Sequence, residues 1–106
     1  MSDAAFFNRL RPYATEQVAV SGSTALTTAL VNNSANYPDF KAAGAIVTVR
    51  AADIYYTVDG STPSSTNCLP AFNGDVITIA GYQKIKNFKA IQQSGSPILD
   101  VQYFKN

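Results

Sequence analysis

The sequence predicts an all-β fold: one immunoglobulin-like β-sandwich of about seven antiparallel strands behind a short N-terminal arm. The first observation is the run Ile54-Tyr55-Tyr56-Thr57-Val58-Asp59-Gly60-Ser61-Thr62-Pro63. Its alternation puts Ile54, Tyr56 and Val58 on one face and Tyr55 and Thr57 on the other, as a half-buried strand requires. The second is that similar runs recur at near-regular spacing, separated by turn-forming residues. The third is composition: 106 residues, 46% hydrophobic and 14% charged, supply one apolar core and too little chain for two. The expected division is an arm over residues 1–14 and a sandwich over residues 15–106.

In the arm, Phe6, Phe7 and Leu10 alternate with Asn8, Arg9 and Arg11, a spacing that allows one short helical turn before Pro12 stops it. Such a segment either lies on its own domain or docks on a neighbouring subunit. From Glu16 the period becomes two, with Val18 and Val20 alternating with Gln17 and Ala19 up to the turn Ser21-Gly22-Ser23. Residues 24–31 suit a strand paired with Val18 and Val20, or a short bridging segment. Residues 32–43 read as a long surface loop whose large apolar groups are Tyr37 and Phe40. Those aromatics pin the loop down or form a contact surface. Phe6, Phe7, Leu10, Tyr37 and Phe40 are therefore the candidate partner-binding residues.

Residues 45–50 form a strand with Val47 and Val49 on one face and Thr48 and Arg50 on the other. The short link Ala51-Ala52 to the strand at 53–58 implies a hairpin. There Gly60 is suited to φ > 0, and the side chains of Asp59 and Ser61 can bond nearby amides. A loop over 64–73 follows, then a strand at 75–79 closed by Ala80-Gly81. In 83–92, Ile85, Phe88, Ala90 and Ile91 do not alternate strictly, so a strand kinked by a bulge near Asn87 is expected. Lys84 and Lys86 would share one face of it and Lys89 would join the other across the bulge, as protection of an edge strand or as an ion-pairing patch for a partner. After Ser94-Gly95-Ser96-Pro97 the last strand points Leu99, Val101 and Tyr103 inward and Asp100 and Gln102 outward. Ile54, Tyr56, Val58, Val101 and Tyr103 are the expected core.

The chemistry of the side chains favours a non-enzymatic protein with no cofactor and no metal. With no histidine, a Ser-His-Asp triad, a Cys-His pair and an imidazole metal site are excluded. Neither usual glycine-rich phosphate cradle occurs. Six Asp and one Glu are scattered, and Asp53, Asp59 and Asp75 do not follow the spacing of a calcium loop. A net charge of +1 offers no field for nucleic acid or acidic lipid. Cys68 is the single cysteine, so no intrachain disulfide is possible, and it reads as a small buried or turn residue. Residues 1–7 lack the charged and apolar regions of a secretory signal, so work without export is expected, and the Asn32-Asn33-Ser34 glycosylation pattern reads as chance. No segment approaches the roughly 20 apolar residues that span a membrane.

The run from Ile54 to Pro63, followed by Lys89-Ala90-Ile91, resembles the motif of the small β-sandwich domains at the C-termini of chitobiase and β-hexosaminidase-type enzymes. A longer stretch, from about Val18 to Phe104, is similar to small tailed-bacteriophage virion proteins. These carry the same motif, then a Phe-Lys-Ala-Ile-like segment and a terminal Val-x-Tyr-Phe, here Val101-Gln102-Tyr103-Phe104. The resemblance implies a capsid decoration (cement) protein on the outer surface of the virion head, made in the host cytoplasm. Its implied partners are the major capsid protein and further copies of itself, a trimer before a dimer, with no nucleic acid and no membrane. A neck, tail or fibre module, and a carbohydrate-associated module, are the alternatives.

Overall fold

The structure, a computed structural model, describes residues 7–26, 42–64, 66 and 68–105. The strands are β1 (Arg11–Ala19), β2 (Thr24–Ala25), β3 (Gly44–Arg50), β4 (Ile54–Thr57), β5 (Leu69–Ala71), β6 (Val76–Ala80), β7 (Lys89–Gln92) and β8 (Ile98–Lys105). A short helix, α1 (Tyr82–Asn87), joins β6 to β7. The strands form two antiparallel sheets of four, in the orders β1-β8-β3-β6 and β2-β7-β4-β5. The expected all-β sandwich is thus present, with eight strands rather than about seven. Every connection except β4–β5 crosses from one sheet to the other. That order is an eight-stranded jelly roll, whereas an immunoglobulin sandwich keeps its first two strands in one sheet.

The crossings correct two expected pairings. β3 and β4 do not form a hairpin, because β3 is already bonded on both sides by β8 and β6, and β4 by β7 and β5. The link is a corner. A tight hairpin turn of the commonest type needs two consecutive residues at positive φ, and here Ala51 alone, at φ 75°, has it. Asn73 Oδ1 accepts the Ala51 N–H at 3.2 Å, and Asp53 Oδ1 accepts the Asn73 N–H at 2.8 Å, so the corner is braced from the β5–β6 turn. Likewise β2 pairs with β7, not with β1; residues 27–41 lie outside the described residues.

Two further segments differ from expectation. The loop expected over 64–73 contains β5, whose Pro70 is tolerated because β5 is at the margin of its sheet. The kinked strand expected over 83–92 is a helix followed by β7. Tyr82, Ile85 and Phe88 recur every third residue, and that spacing turns Ile85 and Phe88 into the core with no exposure. Lys84 and Lys86 therefore sit on α1, exposed, rather than on a strand face.

The core lies between the sheets. Ala45, Val47 and Val49 from β3 meet Leu99, Val101 and Tyr103 from β8, and the second sheet answers with Ile54, Ala71 and Ala90. Of the expected core residues, Ile54, Val101 and Tyr103 are buried, while Tyr56 and Val58 are partly buried and pack against the cluster. Tyr56 stacks on Phe88 with ring centroids 5.7 Å apart.

The turn after β4 has the expected geometry, with Gly60 at φ 89°. A Cβ there would meet the Asn87 side chain at 3.6 Å, an ordinary contact, so any penalty comes from the backbone. Gly60→Val is expected to lower stability by about 1–2 kcal/mol through that strain. Urea unfolding should show a lower midpoint at unchanged m-value; an unchanged midpoint would refute it.

Candidate functional site

The two candidate residues that the structure describes, Phe7 and Leu10, come together on their own domain. Leu10 N–H donates to the Phe7 carbonyl at 3.0 Å, which tightens the segment into a turn before Pro12. β1 then begins at Arg11, so residues 11–14, expected in the arm, belong to the first sheet. On the outer face of that sheet, Phe104 is paired with both Pro12 and Gly44. The Phe7 ring meets Phe104 edge to face at 5.0 Å. A Cβ on Gly44 would lie 2.7 Å from Phe7 Cε1 and 3.0 Å from Leu10 Cδ1, so both side chains occupy the space that glycine leaves. Both remain half-buried, with Asn8 and Arg9 exposed between them. Phe6, Tyr37 and Phe40 lie outside the described residues. Sequence reading missed Gly44 and Phe104; the available signal was a glycine at the head of an apolar strand, which marks a close approach.

Beside the arm, the same face carries an open groove of about 510 Å³ lined by Thr15, Gln17, Ile46, Thr48, Asp100 and Gln102, among others. Arg50 forks onto Asp100, with Nε–Oδ2 at 2.8 Å and Nη2–Oδ1 at 3.2 Å. That hydrogen bond holds the Asp100 carboxyl below its ordinary range and raises the guanidinium. Both groups are solvent-exposed, so the pair fixes side-chain direction more than stability.

Across the sheet, the inward-facing side of β1 carries Glu16, which accepts a hydrogen bond from the buried Tyr103 hydroxyl. Tyr13 leans on the Tyr103 ring at 6.1 Å, and burial pushes its phenol up to about 12. A folded pKa raised above the ordinary value of about 10 gives stability that is complete below pH 10. It is lost as pH rises through about 12. Absorbance titration should show a late phenol that Tyr13→Phe removes, and an identical titration in the variant would refute the assignment.

The motif from Ile54 to Pro63 is scaffold. Asp59 Oδ1 accepts from Ser61 Oγ at 2.6 Å and Ser61 N–H at 3.0 Å, which lowers the Asp59 carboxyl. Thr57 Oγ1 donates to the Ser61 carbonyl at 2.7 Å. Lys89 Nζ reaches back to the Gly60 carbonyl at 3.1 Å, and β4 pairs with β7 so that Thr57, Tyr56 and Tyr55 face Lys89, Ala90 and Ile91. The two sequence segments that carry the resemblance are thus neighbouring strands joined through their turn, and Lys89 serves that turn.

Among the described residues no three His, Cys, Asp or Glu are grouped to hold a metal, and no helix is long and apolar enough to cross a membrane. Cys68 is a free, half-buried thiol. Comparison of the chain with protein-family models, with curated proteins and with solved structures finds no match in any of the three.

Proposed function

We propose that this protein is a non-enzymatic decoration protein of a tailed-bacteriophage head, bound to the outer capsid surface, where it bridges major capsid protein subunits. The observation that carries the reading is the co-occurrence, from about Val18 to Phe104, of the β4 turn motif, the Phe88–Ile91 segment and Val101-Gln102-Tyr103-Phe104 in one chain. Three features support it. The chain closes a two-sheet block around one core with no disulfide, giving a rigid module. Jelly rolls are a recurrent building block of capsids, an argument from architecture alone. The weakly charged surface suits attachment by shape and apolar contact, which becomes strong when many copies bind one lattice.

A reinforcing role follows from linkage: subunits can separate only after the added contacts break. The test adds purified protein to undecorated heads and measures occupancy and the temperature at which heads disassemble. Saturable binding with a raised disassembly temperature is expected. Binding to tails or necks with bare heads would replace this reading by that of a tail or neck module. A carbohydrate-binding reading draws on the outer-face groove, whose Gln17, Asp100 and Gln102 side chains could meet sugar hydroxyls. Glycan-array binding lost in Gln17→Ala would favour it.

A further inference from the structure

Of the asparagines in the sequence, Asn73 alone is followed by glycine. Such a pair is open to deamidation, because a glycine nitrogen carries no neighbouring side chain to obstruct its approach to the asparagine amide. The pair sits in the exposed turn between β5 and β6, where Asp75 N–H donates to the Phe72 carbonyl at 2.8 Å and Gly74 takes φ 95°.

In the folded chain both reacting groups are engaged. The nucleophile is the Gly74 nitrogen, whose N–H donates to the Val49 carbonyl at 2.7 Å, near the end of β3. The electrophile is Asn73 Cγ. Its Oδ1 accepts the Ala51 N–H at 3.2 Å, and the Asn73 N–H is held by Asp53 Oδ1 at 2.8 Å. Ring closure needs the Asn73 side chain to leave Ala51 and turn back on Gly74. It also needs the Gly74 nitrogen to give up the proton it shares with Val49. The contacts that brace the corner between β3 and β4 therefore also block the reaction.

We propose that Asn73 is a deamidation site gated by this corner: the closed corner shields it, an opening exposes it, and the product hinders reclosure. In the open state the Gly74 nitrogen bonds to Cγ, the Cγ–Nδ2 bond breaks, and Nδ2 leaves as ammonia with the proton of the Gly74 N–H. Solvent water then opens the succinimide ring. Its hydroxyl adds to Cγ, giving aspartate, or to the main-chain carbonyl carbon of residue 73, giving isoaspartate, and its other proton returns to the ring nitrogen. Isoaspartate lengthens the main chain by one methylene, so Asp53 and Val49 no longer hold residues 73 and 74 together. Ala51 then loses the oxygen that fixes its N–H at φ 75°, a conformation a non-glycine residue adopts at a cost. Either product also sets a new negative charge next to Asp53 and two residues from Asp75. Chains that stay open are thus marked. This device limits their lifetime and does not depend on the capsid role.

The test incubates the protein at mildly alkaline pH, folded in buffer and unfolded in guanidinium chloride, and follows Asn73 by peptide-map mass spectrometry. Deamidation there is expected to be roughly tenfold or more slower in the folded protein, since reaction follows the population of the open corner. Asp53→Ala should raise the folded rate several-fold and leave the unfolded rate unchanged. The deamidated fraction, separated by its added charge and refolded, should unfold at a lower urea midpoint than the unreacted chain. Equal rates in the folded and unfolded protein overturn the proposal, as does a folded Asp53→Ala protein that reacts no faster than the parent. A deamidated fraction as stable as the unreacted chain overturns it too. Should Asp53→Ala fail to fold, the comparison of folded with unfolded parent decides.

Discussion

Tyr103→Ala is expected to lower stability by about 3–5 kcal/mol, the range for removing a buried aromatic from a packed core. The ring is entirely buried at the centre of the first sheet, between β1 and β3, and its hydroxyl holds Glu16. Two losses combine: the cavity and the hydrogen bond. Tyr103→Phe separates them, keeping the ring and removing only the bond to Glu16, for an expected loss of about 1–2 kcal/mol. Denaturant unfolding of both variants is the measurement, and a loss below about 1 kcal/mol for the alanine variant would place Tyr103 outside the core. Tyr56→Ala should cost less than Tyr103→Ala, because Tyr56 is partly exposed and packs by stacking on Phe88.

Gly44→Val is expected to lift the N-terminal arm off the sheet and to cost about 1–3 kcal/mol. Gly44 is not at positive φ, so the effect is steric: the new side chain takes the place of the Phe7 and Leu10 side chains. Chymotrypsin should cut at Phe7 or Leu10 at least roughly tenfold faster in the variant, since cleavage follows the population of the open arm. In a Phe7→Ala background the same substitution should be much milder, because the clashing ring is gone. Equal costs in both backgrounds, with unchanged proteolysis, would show that the arm does not depend on Gly44. Removing residues 1–10 should likewise uncover Phe104, so such a deletion tests the arm's packing as well as its partner contacts.

What the sequence made legible was whatever alternation alone decides. β3 and β8 follow the alternation, and Val47, Val49, Leu99, Val101 and Tyr103 fall where period two puts them, whereas in β4 Thr57, expected on the outward face, is buried along with Ile54. What alternation does not carry is which strand lies beside which. The β3–β4 link is as short as a hairpin's, but whether it pairs or crosses depends on β8 and β6 arriving from distant sequence. β5 was hidden because its three residues include a proline, and the α1 segment because six residues are too few for a helical period to outweigh a bulged strand. The arm shows the same limit in the candidate site. Phe7 and Leu10 announce that they need cover, but the cover is a missing side chain at Gly44, thirty-seven residues beyond Phe7.

The place of β8 has a kinetic consequence. Residues 98–105 form the strand that stands between β1 and β3, so the first sheet has no continuity until that stretch has left the ribosome. Pairings such as Arg11 with Lys105 close nearly the whole chain into one loop before they repay its entropy. Topologies of this kind fold in milliseconds to seconds rather than microseconds. During synthesis, β3 and β6 can meet early, but β1 must wait, with its apolar face uncovered, for the last strand. The block should therefore acquire protease resistance only once residues 98–105 are free to pair, in a single late step.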